Sequence, residues 1–258
     1  MPDILTDLRP DGVAVVTISH PERKNACTQA MWQALGKTFT ALASDPTARA
    51  VILTGAGDTF CAGADISEFK TARNNAAAAA SYSADVDAAE TAIHDMPKPV
   101  IAAIRGPAIG GGCGLALACD FRLGDERTRM GIPAARLSVV YSLKETQMLA
   151  EVVGPRNAKR VLYSGDYFDA DGAKRLGMLD EIVEDPMAAA VAYASHIAER
   201  APLSVRGAKL AINAIAAGAI ADVAKQYEAL RAQAADSHDY AEGQKAFMEK
   251  RKPSFQGR

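Results

Sequence analysis

The sequence predicts an α/β core followed by a region that is nearly all helix. Strand-like and helix-like segments alternate along the first part of the chain, which is the pattern of an α/β fold. From about Met187 onward, apolar residues recur at helical spacing instead. With 258 residues, the chain is long enough to bury one large core. We therefore expect an α/β domain with helices at its C-terminal end.

The earliest elements are predicted from apolar periodicity. Residues 13–18 form a β-rich apolar run and predict a strand. Residues 28–43 carry apolar side chains at every third or fourth position, which predicts a helix capped by Thr28. Residues 50–53 predict a second strand, which ends in a glycine-containing turn.

Later elements follow the same logic. Asp65 and Glu68 have the spacing of a capping box and predict the start of a helix. Residues 75–94 are rich in alanine and acidic side chains, which predicts a helix with few packing contacts. Further strands are predicted at residues 100–104 and 121–123, and further helices near 145–153 and 155–163.

Composition and missing motifs exclude several classes of function. A net charge of −2 gives no reason to expect nucleic acid as a partner. No apolar run is long enough to span a bilayer and no signal-peptide pattern opens the chain, so we expect no membrane partner. The four cysteines lack CxxC spacing, which favours reduced thiols and a cytoplasmic location. No metal site, nucleotide-phosphate loop or GxSxG elbow is predicted.

The most informative segment is residues 106–120, GPAIGGGCGLALACD. Three consecutive glycines stand between a predicted strand and a run of small apolar residues. Glycine lets a ligand approach main-chain N–H groups, and a helix that begins there presents free N–H groups and a positive dipole end. The segment therefore predicts a backbone oxyanion hole. Cys113 is followed by Gly114, so this segment supplies no acid of its own.

A second glycine-bearing segment, FCAGADI at residues 60–66, follows the strand predicted at 50–53. Together with AIGGGCGLALACD it resembles the two signature segments of the enoyl-CoA hydratase/isomerase (crotonase) superfamily. The resemblance covers almost the whole chain and has three more parts: HPERKNACT, YSGDYFDADGAKRLGMLDEIV and EGQKAFMEKRKPSFQG. Five segments in the same order make the likeness specific.

The resemblance implies an architecture and an assembly. We expect a crotonase-like ββα spiral over residues 1–200 that binds acyl-CoA and contains two sheets. Residues 201–258 would then form a helical region for oligomerisation. Members of this superfamily form trimers that often pair into hexamers, so a homotrimer or a hexamer is expected. From the residues alone, only the α/β core and the helical C-terminal region follow.

The resemblance also implies a ligand and its contacts. Coenzyme A would enter as part of the thioester substrate, with no separate cofactor. The N–H groups of Ala64 and Gly111 would hold the enolate oxygen, whose charge grows in the transition state. The implied coenzyme A contacts are Lys24, Asn25, Ala26, Ala62, Asp65, Ile66, Phe247 and Lys250, the last two from a neighbouring subunit. For Asp65 a helix cap is the stronger interpretation, and Lys250 is equally a solvated cation.

The chain departs from the family pattern at both catalytic glutamates. Hydratases of the superfamily carry one glutamate after the glycine-triplet-plus-cysteine motif, where this chain has Gly114. They carry the other after a proline, where this chain has Ala134. General acid–base catalysis contributes about a hundredfold to ten-thousandfold. We therefore expect little hydratase activity.

Other groups near residue 140 are candidates for the missing chemistry. Tyr141 resembles the pocket tyrosine of methylmalonyl-CoA decarboxylase-like members, although a half-buried structural tyrosine fits equally. For Ser142 and Glu145 the preferred interpretations are an N-cap and an acidic residue in a first helical turn. Arg136 is a candidate carboxylate partner, but a surface arginine is preferred.

These observations favour an enzyme that acts on an acyl-CoA thioester through an enolate. Because both glutamate positions are empty, lyase chemistry such as decarboxylation is preferred over hydration. The alternatives are a hydratase or isomerase that uses a substitute group, and a non-catalytic member that binds acyl-CoA. A purely structural subunit is disfavoured because both oxyanion segments are recognisable.

Overall fold

The computed structural model describes residues 2–69 and 74–258 and has two sheets. The strands in chain order are β1 (Asp3–Leu8), β2 (Val13–Ser19), β3 (Ala50–Gly55), β4 (Val100–Ile104), β5 (Pro107–Ile109), β6 (Phe121–Gly124), β7 (Arg129–Gly131), β8 (Tyr167–Asp169) and β9 (Glu181–Ile182). The larger sheet has the order β1-β2-β3-β4-β6-β9, and every pair is parallel except β1 with β2. The smaller sheet has the order β5-β7-β8.

Helices separate the strands and dominate the C-terminal part. Within the described residues they are α1 (Gln29–Ser44), α2 (Ala76–His94), α3 (Gly111–Ala118), α4 (Leu143–Ser164), α5 (Ala170–Leu176), α6 (Pro186–Ala198), α7 (Pro202–Ala216), α8 (Ile220–Ala235) and α9 (His238–Met248). Parallel strands need long crossover connections, and the helices between them serve as those connections. No helix within residues 2–69 and 74–258 is long and apolar enough to cross a membrane.

The core lies on both faces of the larger sheet because its strands alternate between two apolar faces. In β3, Val51 and Leu53 join the main cluster beneath α1 and α2. Ala50 and Ile52 point to the opposite face, where α6 covers a smaller cluster. Successive strand side chains point to opposite faces, so a strand buried on both is apolar throughout.

Most predicted elements are confirmed, and the structure adds several. Of the helix predicted to start near Asp65, the structure describes the 3₁₀ helix Ile66–Glu68, and residues 70–73 lie outside the described residues. Thr28 caps α1 by accepting the N–H of Met31 at 3.2 Å. The two helical patterns predicted near 145–153 and 155–163 form α4, which Gly154 interrupts with a φ of +74°. Strand β1 was not predicted because most of its residues are exposed, and the short strands β5, β7, β8 and β9 are too brief to show periodicity.

The prediction of few packing contacts for α2 is wrong. Tyr82, Ala89 and Ile93 are fully buried, and the helix packs against α1 along its length. The hydroxyl of Tyr82 accepts the indole N–H of Trp32 at 2.9 Å. The many alanines give α2 no marked apolar pattern in the sequence. Their small side chains nevertheless allow α2 to approach α1 closely.

The predicted capping box at Asp65 is also wrong in one half. Asp65 caps the short 3₁₀ helix Ile66–Glu68 by accepting the N–H of Ser67 at 2.9 Å. Glu68 does not return to the Asp65 N–H, which donates to Cys27 instead. The Glu68 carboxylate accepts the N–H of Gln29 at 2.8 Å, so it lies at the N-terminus of α1.

Candidate active site

Backbone hydrogen bonds hold the two glycine segments side by side. The Cys61 N–H donates to Pro107 at 3.1 Å, and the Ile109 N–H donates back to Cys61 at 2.9 Å. The chain then continues from Cys61 to Ala64 and from Ile109 to Gly111. The pairing therefore brings two segments that are distant in sequence to one place.

Two positions at this junction require glycine. Gly63 has a φ of +96°, and a Cβ there would lie 2.7 Å from the Ile109 carbonyl oxygen and 3.3 Å from the Gly111 nitrogen. Gly110 has a φ of +56° and precedes α3 as its N-cap. Side chains disfavour both conformations, so glycine is what allows the close approach.

The predicted oxyanion donors line the same cavity. Gly111 is the first residue of α3, so its N–H has no partner within the helix. The N–H groups flanking Ala64 donate to the Cys61 sulfur and the Cys27 carbonyl, whereas no acceptor among the described residues pairs with that of Ala64. Ala64 and Gly111 both line a cavity of about 380 Å³. The arrangement can hold an anionic oxygen between two fixed dipoles.

The opposite wall comes from the segment before α4. Tyr141 lines the cavity, and its hydroxyl lies 4.0 Å from where a Cβ on Gly110 would be. Ser142 caps α4 by accepting the Glu145 N–H at 3.1 Å, and Glu145 accepts the Ser142 N–H at 2.8 Å. The preferred structural interpretations of Ser142 and Glu145 are therefore confirmed, and both side chains also line the cavity.

The two glutamate positions of the family differ in their relation to the smaller cavity. Ala134 lines the cavity, whereas Gly114 is buried in α3 and is not among the lining residues. Neither carries a carboxylate. Arg136 forms an ion pair with Asp166 at 2.6 Å with both side chains about half exposed, so the preferred surface interpretation is confirmed.

A second, larger cavity adjoins the first. It has a volume of about 780 Å³ and shares Ala62 and Ile109 with the first cavity. Its wall includes four cationic side chains: Lys24, Arg129, Arg160 and Arg175. A groove of this charge suits the anionic part of a ligand whose other end reaches the first cavity.

The predicted coenzyme A contacts occupy different settings. Lys24 and Ala62 line the larger cavity, and Ala62 and Ile66 line the smaller one. Asn25 is fully buried and donates to the carbonyls of Ala56 at 2.8 Å and Thr59 at 2.6 Å, so its side chain shapes the loop. The Asn25 hydrogen bonds hold the backbone of Lys24 at the cavity edge.

The remaining predicted contacts line neither of these two cavities. Ala26 is buried beside Asn25, and the carboxylate of Asp65 is used as a helix cap. Phe247 and Lys250 are exposed near the end of α9 and line neither cavity. Their predicted contact from a neighbouring subunit stays a prediction.

Several groups at the site carry no motif in the sequence. The three arginines of the larger cavity stand in three separate elements, so only the fold assembles them. Glu90 in α2 is 1% exposed and lies against Gly114 of α3. Its sequence signal was the spacing of Tyr82, Val86 and Glu90, which places a carboxylate on the buried face of a helix.

The cysteines do not form a nucleophilic site. All four are buried and unpaired as disulfides, and the Cys27 and Cys61 sulfurs lie 3.8 Å apart. Burial raises the pKa of Cys113 to about 12 and that of Cys119 to about 12, which keeps both thiols protonated. Within the described part of the chain, no cluster of three potential metal ligands occurs.

Known proteins share this fold and sequence pattern over almost the whole chain. The family model "Enoyl-CoA hydratase/isomerase" matches residues 9–258. A crotonyl-CoA hydratase of Syntrophomonas wolfei is 35% identical over 250 residues, which cover 94% of each chain. A crystal structure of an enoyl-CoA hydratase/carnithine racemase from Magnetospirillum magneticum is 37% identical, with a TM-score of 0.89 over 99% of this chain and 97% of that one. An enoyl-CoA hydratase from Bacillus anthracis is 32% identical, with a TM-score of 0.90 over 99% of both chains.

Proposed function

Because this chain belongs to the enoyl-CoA hydratase/isomerase family, we propose that it holds the enolate of an acyl-CoA thioester between the N–H groups of Ala64 and Gly111. The observation that carries the proposal is that Ala64 and Gly111, from segments distant in sequence, line one cavity. An enolate oxygen carries more charge than the thioester carbonyl from which it forms. Fixed dipoles in a cavity therefore favour the transition state over the bound substrate.

The reaction that we propose is of the lyase class, with decarboxylation of a malonyl-type thioester as the leading case. The bond between Cα and the carboxylate breaks, CO₂ leaves, and the electron pair moves to the thioester oxygen. The enolate then takes one proton at Cα and becomes the product thioester. The bond-breaking step needs no protein base, which agrees with Gly114 and Ala134 at the two glutamate positions.

The composition of the smaller cavity supports this choice. Its described lining residues are mostly apolar and include no lysine, arginine or histidine. A carboxylate buried without a cation is unfavourable, and loss of CO₂ moves its negative charge to the enolate oxygen, where the two proposed N–H donors can hold it. We propose that the hydroxyl of Tyr141 orients the departing carboxylate, because it lies beside Gly110 at the cavity wall.

We propose that the larger cavity holds the coenzyme A portion. Its four cations match the phosphates, and Ala62 lies at the junction through which the pantetheine would pass. Replacing Arg160 or Arg175 with alanine should raise KM for an acyl-CoA while kcat stays unchanged. A matched control is Arg9→Ala, because Arg9 is partly exposed, pairs with Asp11, lines neither cavity and lies outside residues 201–258.

The oligomerisation region at residues 201–258 also stays a proposal. Ile212, Ile215 and Ile220 are exposed on α7 and at the start of α8, and Phe247 is 83% exposed. Exposed apolar side chains that are concentrated in residues 201–258 are consistent with a contact surface for further copies of the chain. We propose a homotrimer in which Phe247 and Lys250 approach the larger cavity of a neighbour. Light scattering coupled to size exclusion gives the assembly size, and a monomer would contradict the proposal.

A turnover panel tests the reaction. Purified protein is mixed separately with crotonyl-CoA, malonyl-CoA and methylmalonyl-CoA, and enoyl absorbance and CO₂ release are followed. We expect CO₂ release without appreciable hydration. Rapid hydration of crotonyl-CoA would overturn the lyase assignment.

Two alternatives remain as outcomes of the same panel. Hydration or isomerisation through a substitute group is the second candidate, because the carboxylate of Glu145 lines the cavity. Binding of acyl-CoA esters without turnover would instead indicate a non-catalytic member. Calorimetry with the same thioesters measures binding independently of turnover. If no thioester binds, a purely structural role is indicated.

A further inference from the structure

Glu90 is a buried carboxyl group that the chemistry above leaves unused. It lies in the second half of α2, on the same face as Tyr82 and Val86, and is 1% exposed. Its Oε1 has no hydrogen-bond partner among the described residues. Because an unpaired buried carboxyl is costly, its presence in an otherwise apolar core calls for a functional reason.

The position of this carboxyl is tied to Gly114. A Cβ on Gly114 would overlap Oε1 of Glu90 and would lie 2.9 Å from its Cδ. The carboxyl of Glu90 therefore fills the space in which a side chain at residue 114 would begin. Glycine at this position of α3 is what makes room for it.

That space lies next to the proposed oxyanion hole. Gly114 follows Gly111 by three residues in α3, and residues so spaced face the same side of a helix, about 5–6 Å apart. Val86, one turn before Glu90 in α2, lines the smaller cavity, as does Glu145 of α4. The two helices that carry Glu90 and Gly114 therefore both contribute to the cavity wall, through Val86 and Gly111, while Glu90 and Gly114 themselves lie behind that wall.

The charges around Glu90 favour its protonated form. Burial raises the pKa of Glu90 well above its usual value, and the negative charges of Glu145 and Asp87 raise it further. The Cys113 thiol of α3 lies within electrostatic range of Glu90 and stays neutral, because burial raises the Cys113 pKa to about 12. A carboxylic acid kept protonated beside an enolate site is suited to donate a proton.

We propose that Glu90 is the proton donor of this site, so that α2 supplies the carboxyl group absent from residue 114 of α3. The inference rests on the enolate chemistry of the proposed function. After CO₂ has left, the enolate Cα takes the proton of the Glu90 carboxyl, the enolate electrons form the new C–H bond, and Glu90 becomes a carboxylate. Water then returns a proton to Glu90, and one proton is consumed for each CO₂ released.

Glu90→Gln keeps the shape of the side chain and removes the transferable proton. We expect kcat for CO₂ release to fall at least a hundredfold with KM within threefold. The enzyme-dependent exchange of α-protons of propionyl-CoA in D₂O, followed by NMR, should fall equally. The control is Asp125→Asn, which removes another buried carboxylate, one that is paired with Arg127 and lies in no cavity wall described above. It should lower stability and leave kcat unchanged.

A relocation variant distinguishes a proton donor from a packing residue. In Glu90→Leu/Gly114→Glu the carboxyl group is attached to α3 instead of α2. The kcat of this double variant should be at least tenfold higher than that of Glu90→Leu. Gly114→Glu alone places two carboxyls in one space and should be inactive or poorly folded. If Glu90→Gln retains kcat and exchange within threefold of the parent, the proposal is overturned.

The exchange readout separates the two proposals. If the parent releases no CO₂ but exchanges α-protons and Glu90→Gln does not, the lyase assignment fails and the role of Glu90 stands. If the parent decarboxylates and Glu90→Gln is unimpaired, the role of Glu90 fails alone. Absence of exchange with every thioester that the parent binds overturns the role of Glu90. If Glu90→Gln does not fold, the comparison of Glu90→Leu with the double variant decides.

Discussion

Replacing Gly63 with alanine should separate the two oxyanion donors and abolish most of the activity. At a φ of +96° any other residue carries strain of about 1–2 kcal/mol. The new Cβ would also meet the Ile109 carbonyl oxygen at 2.7 Å and the Gly111 nitrogen at 3.3 Å. Relief of these contacts requires the Gly111 segment to move away from Ala64. Loss of one oxyanion donor costs about a hundredfold to a thousandfold in kcat.

The chain offers a matched control for this substitution. Gly57 has a φ of +72°, and a Cβ there would meet nothing within 4 Å. Gly57→Ala should therefore lose about 1–2 kcal/mol of unfolding free energy and keep its kcat. Urea unfolding gives the stability of both variants, and CO₂ release or α-proton exchange gives their activity. A Gly63→Ala variant as active as Gly57→Ala would refute the assignment of the oxyanion hole to this junction.

Three further predictions follow. Tyr141→Phe should lower kcat about tenfold to a hundredfold with KM nearly unchanged, because one hydrogen bond to a charged group is lost; steady-state kinetics decide, and an unchanged kcat contradicts the role. The folded-state pKa of Cys113 is raised from 9.0 to about 12, so the thiol stabilises the fold below pH 9 and loses that contribution as the pH rises toward 12. Unfolding of Cys113→Ala between pH 9 and 11 should show a slope shallower by about 1.4 kcal/mol per pH unit, and parallel curves would contradict this. Asn25→Ala should lose about 2–4 kcal/mol of unfolding free energy, since two partly buried carbonyls lose their donors. A variant as stable as the parent would exclude the proposed role of Asn25 in shaping the loop.

The sequence determined the elements whose signals are local. The strand at 13–18, the helix capped by Thr28 and the helical C-terminal region follow from periodicity and capping, which depend on neighbours in the chain. The glycine segments also predicted where α3 begins and where a backbone anion site belongs. These features could be predicted because the residues that cause each of them lie close together in the sequence.

Tertiary structure decided which distant groups share a space. Glu68 has capping spacing to Asp65, yet it accepts the N–H of Gln29, because folding brings the start of α1 beside it. In the sequence, Glu90 is one of several acidic residues in an alanine-rich helix. Only the packing of α2 on α3 places it against Gly114.

The glycine at residue 114 therefore has a different meaning in the fold than in the sequence. The sequence shows that residue 114 is a glycine and therefore lacks a carboxyl group. The fold shows that a carboxyl from another helix occupies the space thus left open. Side chains in a packed core fill the space that their neighbours leave. The missing side chain of Gly114 and the carboxyl of Glu90 are therefore connected only after α2 has packed on α3.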